Sequence, residues 1–272
     1  RDCLLSRGLG DVYKRQIQKD ALLDFTEIMT MLGTATNMTA DEAATALARF
    51  ANITGMATDN YGRLGSVIVD LGNNFATTES EIVAMGTRLA SAGKLAGLTE
   101  PEIMALAAAM SSVGIEAEAG GTAMTQTLNA IEKAVAKGGD DLEEFARIAG
   151  MSSEEFSTAW KNDAMSALTS FIGGLGKLDE QGESTVLVLE DLGLTGIRQS
   201  NMLKSLGLAA DQMTSAVNTA NTAWQQNTAL TNEANKRYAT AQSRLTMMQN
   251  AYNNLKVAIG DAYTPALSEA YG

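Results

Sequence analysis

The chain has 272 residues, 45% of them apolar, only two prolines (Pro101 and Pro265) and a net charge of −12. That is room for one large domain or two ordinary ones around a packed core, and it excludes wholesale disorder. With no histidine and one cysteine, Cys3, the usual general base, an intrachain disulfide and a thiolate zinc site are excluded, and the acidic balance repels nucleic acid.

The first sixteen residues, RDCLLSRGLGDVYKRQ, stand apart, because Arg1, Arg7, Lys14 and Arg15 make them basic against an acidic remainder. Their apolar piece, Cys3–Leu5, is too short for a signal-peptide core. The stretch resembles a spurious translation of adapter-like sequence, and residues 1–16 are set aside as a non-native leader. Lacking an initiator methionine and stopping soon after Pro265, the whole reads as a piece of a longer protein.

From there the chain reads as helix after helix. Strong helix formers dominate and proline is nearly absent. Helices are predicted over 17–32, 40–53, 59–71, 79–96, 100–113, 119–137, 141–149, 153–160, 164–176, 184–192 and 196–206. Five starts carry a capping-box pattern: Thr39 with Glu42, Thr78 with Glu81, Thr99 with Glu102, Asp140 with Glu143 and Ser152 with Glu155. In such a box the cap side chain accepts an N–H three residues on, while the glutamate reaches back. Pro101 falls in a first turn, where a missing N–H costs nothing. Gly33, Gly55, Gly72, Gly97, Gly114, Gly150, Gly193 and Gly207 sit between predicted helices, as left-handed terminators would. IMALAAAM (Ile103–Met110) is too short to span a bilayer and fits a buried helix face. Val186–Gly193 has some strand character, and it is assigned to helix because no partner strand is evident.

The last part differs. Met213, Val217, Ala220, Trp224, Asn227, Thr231, Ala234, Tyr238, Ala241, Leu245, Met248, Tyr252, Leu255 and Ile259 alternate steps of four and three, which is a heptad seam. It is weak at Asn227 and Thr231 and stronger from Tyr238 onward. A continuous helix from Asp211 to Gly260 would be roughly 75 Å long at ~1.5 Å per residue. A helix of that length outruns a bundle, projects, and pairs with something else.

Several polar stretches have the composition of a site. In LGNNFATTESEI (Leu71–Ile82), Gly72, Asn73 and Asn74 are expected to close one helix and Thr78 with Glu81 to open the next; convergence of Asn73, Asn74 and Glu79 on an ion would contradict this. Glu116 and Glu118 have the look of an acid/base pair and read better as an acidic helix start. Gly176-Lys177 is followed by Leu178 with no preceding strand, so it is no phosphate loop; Ser170–Ser184 reads as a flexible linker. Asp140 in KGGDDLEE lacks the calcium-loop spacing and reads as a cap. The fourteen methionines fit core packing. No catalytic, cofactor-binding or metal-ligating residue is assigned, and no cofactor.

Taken in order, the helix ALARFANITG, then LGNNFATTESEI, then AGLTEPEIMALAAAMSSVGIEAEAGGTAM resemble the core region of phage tail tape measure proteins. LEDLGLTGIRQSNMLKSL (Leu189–Leu206) and NLKVAIGDAYTPAL (Asn254–Leu267) extend the likeness. The resemblance covers about residues 17–267 and implies a non-enzymatic virion protein whose length sets that of the tail tube. It implies tail tube subunits and tail assembly chaperones as partners. It also implies a place in the tube lumen, host cytoplasm during assembly, and a part in DNA ejection with host-membrane contact for the full-length protein.

The expected fold is therefore all-α: a leader at 1–16, a helical bundle at 17–207, a long projecting helix at 208–262 that self-associates, and a truncated segment at 263–272. No specific nucleic-acid binding is expected. Rival readings are a helical module of a prophage-derived or contractile injection particle, a cell-wall hydrolase fragment and a membrane-active helical protein.

Overall fold

Backbone capping sets where the helices begin. The computed structural model describes residues 19–271, and of residues 19–21, 241, 243 and 260–271 the backbone alone; the leader at 1–16 lies outside the described residues. Among them are fourteen α-helices, one short 3-10 turn at Thr58–Asn60 and no strand. The first five helices are α1 (Lys19–Ala35), α2 (Ala40–Thr54), α3 (Tyr61–Asn74), α4 (Glu79–Leu95) and α5 (Glu100–Ser112). Then come α6 (Ala117–Lys137), α7 (Asp140–Ile148), α8 (Ser153–Asn162), α9 (Ala164–Leu178), α10 (Thr185–Asp191) and α11 (Ile197–Leu208). The chain ends in α12 (Ala210–Gln226), α13 (Ala229–Tyr238) and α14 (Ala241–Tyr271).

Thr39, Thr78 and Ser152 form capping boxes: each hydroxyl accepts the N–H three residues on, and each glutamate accepts the cap's own N–H at 2.8, 2.9 and 2.8 Å. At Thr99 the Glu102 carboxylate accepts the cap N–H at 2.8 Å, with Pro101 in the first turn. The box expected at Asp140 does not form. Gly139 is the cap there, at φ 82°, a left-handed position closed to most side chains, and Asp140 is already helical. Asp163 provides a cap the sequence reading missed, accepting from the Ser166 N–H at 3.0 Å.

The bundle is organised around α5. Every residue from Ile103 to Met110 is buried, so this helix is apolar all round rather than on one face, as a central helix must be. It packs against α3, α4 and α12. Its alanines, Ala105, Ala107, Ala108 and Ala109, let those neighbours approach closely. Around it α4 also packs on α2 and α6, and α9 packs on α7, α8, α11 and α12. An aromatic group fills the α7–α8–α9 corner: the Phe145 and Phe171 rings lie 5.1 Å apart, and the Trp160 Nε1–H donates to Glu132 at 2.7 Å.

Three expectations need correction. Gly33, Gly72 and Gly207 lie inside helices and terminate none, whereas Gly55, Gly97, Gly114, Gly150 and Gly193 do take positive φ. The supposed linker Ser170–Ser184 is helical as far as Leu178. Its Gly174 faces the Ile148 carbonyl and its Gly176 faces Gly207, approaches with no room for a Cβ. The single helix expected over 208–262 is divided at Asn227 and again at Ala239–Thr240. Its first half does not project: Met213, Ala216, Ala220 and Ala223 of α12 are buried against α3 and α5, and α13 lies on α1 and α3. In α13 the inward residue is Leu230, not Thr231.

Candidate interaction face

The second half of the seam meets a different fate. On α14, Leu245, Met248, Tyr252, Leu255 and Ile259 follow one another at spacings of three and four, and all are exposed, Met248 at 67% and Leu255 at 57%. That spacing stacks them into one stripe. From Gln242 to Ile259 the only charged residues are Arg244 and Lys256, and no carboxylate occurs. The Lys256 ammonium sits 4.4 Å from the Tyr252 ring centroid, one turn away. An apolar stripe of this extent in water is the signature of an unfilled interface.

The polar stretches are engaged in local bonds. At the α3–α4 joint, Asn74 donates to the Asp70 carbonyl and carboxylate at 2.8 and 3.0 Å. Asn37 accepts the Ser80 N–H at 3.1 Å and donates to its hydroxyl at 2.8 Å. Thr77 donates to Ser111 at 2.8 Å. Gly72 has a role the sequence hid: it is the space into which the Glu79 side chain folds, its Cα facing Glu79 Cγ so closely that a Cβ would stand 2.7 Å away. The joint is thus tied through side-chain and backbone bonds; among the described residues no group of three or more Asp, Glu, His or Cys side chains has a metal-ligand arrangement.

Glu116 and Glu118 are both exposed, on the rim of an open cleft of about 620 Å³ that also holds Arg198. Beneath them Gly121 packs on the Arg88 side chain, 2.6 Å from where a Cβ would lie. Lys177 lines a smaller cleft with Arg147, Gly173 and Gly174 on the outside of α9.

Arg147 bridges Glu144 and Glu183 at 2.8 Å each and ties α7 to the loop before α10. Bonding to Arg147 holds the Glu144 carboxyl below the usual carboxylate range. The Thr78 N–H does the same for Glu81, and the Thr185 hydroxyl for Asp179. Partial burial pushes Asp70 the other way. Glu81 serves a backbone cap, Glu144 bonds Arg147 within α7, Asp179 bonds Thr185 at the start of α10, and Asp70 bonds Asn74 within α3. Among the described residues no helix is long and apolar enough to cross a membrane.

Fold and surface together define an all-helical protein with an uncovered apolar helix face. Residues 5–193 match the model of the phage-related minor tail protein family, and the chain belongs to that family. Membership makes it a component of a virion tail, working in contact with other tail components, in a family that is typically structural. The helices α11 to α14 lie beyond the matched segment. Neither curated proteins nor solved structures yielded a match.

Proposed function

We propose that the chain is the helical core of a tail tape measure protein, non-enzymatic, acting in tail length determination and tube assembly. The observation that carries this reading is the α14 stripe. The exposed apolar residues of the bundle, Leu95 and Leu208 among them, follow no heptad spacing, whereas those of α14 recur at heptad positions along one face. Self-pairing suits that face. With Leu245, Tyr252 and Ile259 at one seam position and Met248 and Leu255 at the other, a parallel pair would set Arg244 opposite Gln249 and Ala251 opposite Lys256. No like charges oppose one another there. Tail tube subunits and assembly chaperones are the proposed further partners, the tube lumen the proposed place, and the acidic charge a means of not adhering to DNA in the same channel.

The test is tail length. Deleting three heptads, residues 239–259, in frame from the parent gene is expected to give tails shorter by about 30 Å, since a helical residue spans ~1.5 Å. Electron microscopy of the particles reads this directly; tails of unchanged length would overturn the length-setting role. Retention of the purified chain on DNA at low salt would contradict the proposed non-adherence.

A further inference from the structure

The α12–α13 joint breaks a helix where nothing in the local sequence requires a break. From Ala209 to Ile259 there is neither glycine nor proline. Yet Asn227 takes φ 51°, and among the described residues it is the non-glycine residue with positive φ. Asparagine tolerates that conformation better than most, at a cost that helical geometry would not incur. No side-chain cap from α13's own start compensates.

What compensates comes from α3. The Arg63 guanidinium donates to the Trp224 carbonyl at 2.7 Å. In an uninterrupted helix that carbonyl accepts from the N–H of Thr228. The Leu230 N–H donates to the Ser66 hydroxyl at 3.4 Å, and the same hydroxyl donates to the Asn227 side chain at 3.3 Å. In an uninterrupted helix the Leu230 N–H would go to Gln226. One residue of α3 thus serves an orphaned acceptor at the end of α12, and another an orphaned donor at the start of α13. Both substitutes are tertiary, and both groups have intrahelical partners waiting.

The helix α13 packs on both α1 and α3. Only Leu230 and Ala234 of α13 are buried, Leu230 over the bare Cα of Gly65. A cleft lies on each side of this helix, one lined by Asp24, Glu27 and Asp59 and the other by Asp70, Asn73 and Lys236. Tyr238 adds a hydroxyl contact with Thr34 at 3.2 Å. Meanwhile the inward stripe of α12 continues in helical register through Asn227 to Leu230, Ala234 and Tyr238, and then into the α14 stripe.

We infer that the α12–α13 joint is a two-state hinge: Arg63 and Ser66 hold it bent against α3, and release of these two latches lets residues 210–238 close into one helix. Closing restores the intrahelical bonds and returns Asn227 to helical geometry. It also lifts α13 off α1 and α3 and lengthens the stretch that leads into α14. The inference concerns the chain by itself and is independent of the particle it serves.

The experiment measures the distance between spin labels on α1 and α13, at Glu27→Cys and Asn235→Cys, in the whole chain carrying Cys3→Ser. The unmodified joint is expected to give a short distance. Arg63→Gln with Ser66→Ala is expected to move most of the population outward by on the order of 10 Å, since Asn235 lies eight residues beyond the hinge. Helical circular dichroism should hold or rise. Asn227→Ala, at an exposed position that disturbs no core, should shift the population the same way, and Asn227→Gly should keep the short distance. An unchanged distance in Asn227→Ala, or a longer one accompanied by loss of helix signal, overturns the hinge.

Discussion

Helices α12 and α14 carry the same alternation of three and four, yet one turns its apolar face into the bundle and the other leaves it in water. The difference lies in side-chain size. In α12 the inward positions are Met213 and then Ala216, Ala220 and Ala223, small enough for the helix to lie close on α5, itself rich in alanine. In α14 they are Leu245, Met248, Tyr252, Leu255 and Ile259, which stand too far from the axis for that kind of approach and suit knobs-into-holes pairing instead. Period reports that a helix has an apolar face; the volumes on that face report what it can be packed against.

The largest test of this contrast is truncation. Met213→Ala, at a fully buried position, should cost about 2–5 kcal/mol in urea unfolding, whereas Met248→Ala should stay within about 0.5 kcal/mol for the isolated chain. Similar losses at the two sites would break the comparison. Enlargement comes next. Ala220→Leu should destabilise by about 1–3 kcal/mol because the α5 contact has no spare volume. Ala251→Leu on α14, at an exposed position, should leave the melting temperature unchanged.

Smaller effects sharpen the picture at the caps. Thr78→Ala removes one half of a formed capping box and should cost about 1 kcal/mol, read as a lowered midpoint with an unchanged slope. Acid should act on the bundle and not on α14. Glu81, Glu144 and Asp179 are held below their ordinary range in the folded chain. Their contribution is therefore complete above the unfolded carboxylate range, around pH 4, and is lost as pH falls through the lower folded values. Residues 242–259 hold no carboxylate, so labels placed there should report no parallel loss.

Much of this architecture was legible in the sequence, and the reason is local. Helix starts follow from a hydroxyl and a glutamate three residues apart, so Thr39, Thr78, Thr99 and Ser152 announced α2, α4, α5 and α8 correctly. What was illegible depends on distant partners. Gly72 looked like a terminator because sequence cannot distinguish a glycine needed for a turn from one needed as space, here for Glu79. The same ambiguity hides Gly174 and Gly176, which lie inside the segment expected as a linker. The break at Asn227 was invisible because the residues that hold it, Arg63 and Ser66, lie 161 to 164 positions away from the groups they bond. The expected continuity of the seam fails at Asn227 and at Ala239–Thr240. The inward positions fall one residue earlier than expected, on Ala216, Ala223 and Leu230 in place of Val217, Trp224 and Thr231.

For the interaction face, the stripe was visible as a pattern, while its exposure needed the fold, since the same pattern in α12 is consumed internally. The most direct measurement is sedimentation of the whole chain over a wide concentration range, beside a variant carrying Leu245→Glu and Leu255→Glu. The account predicts concentration-dependent association of the unmodified chain, a monomeric variant, and the same unfolding midpoint for both at concentrations where both are monomers. A chain that stays monomeric throughout, or a variant that associates as before, would contradict the claim that the α14 face is built to pair.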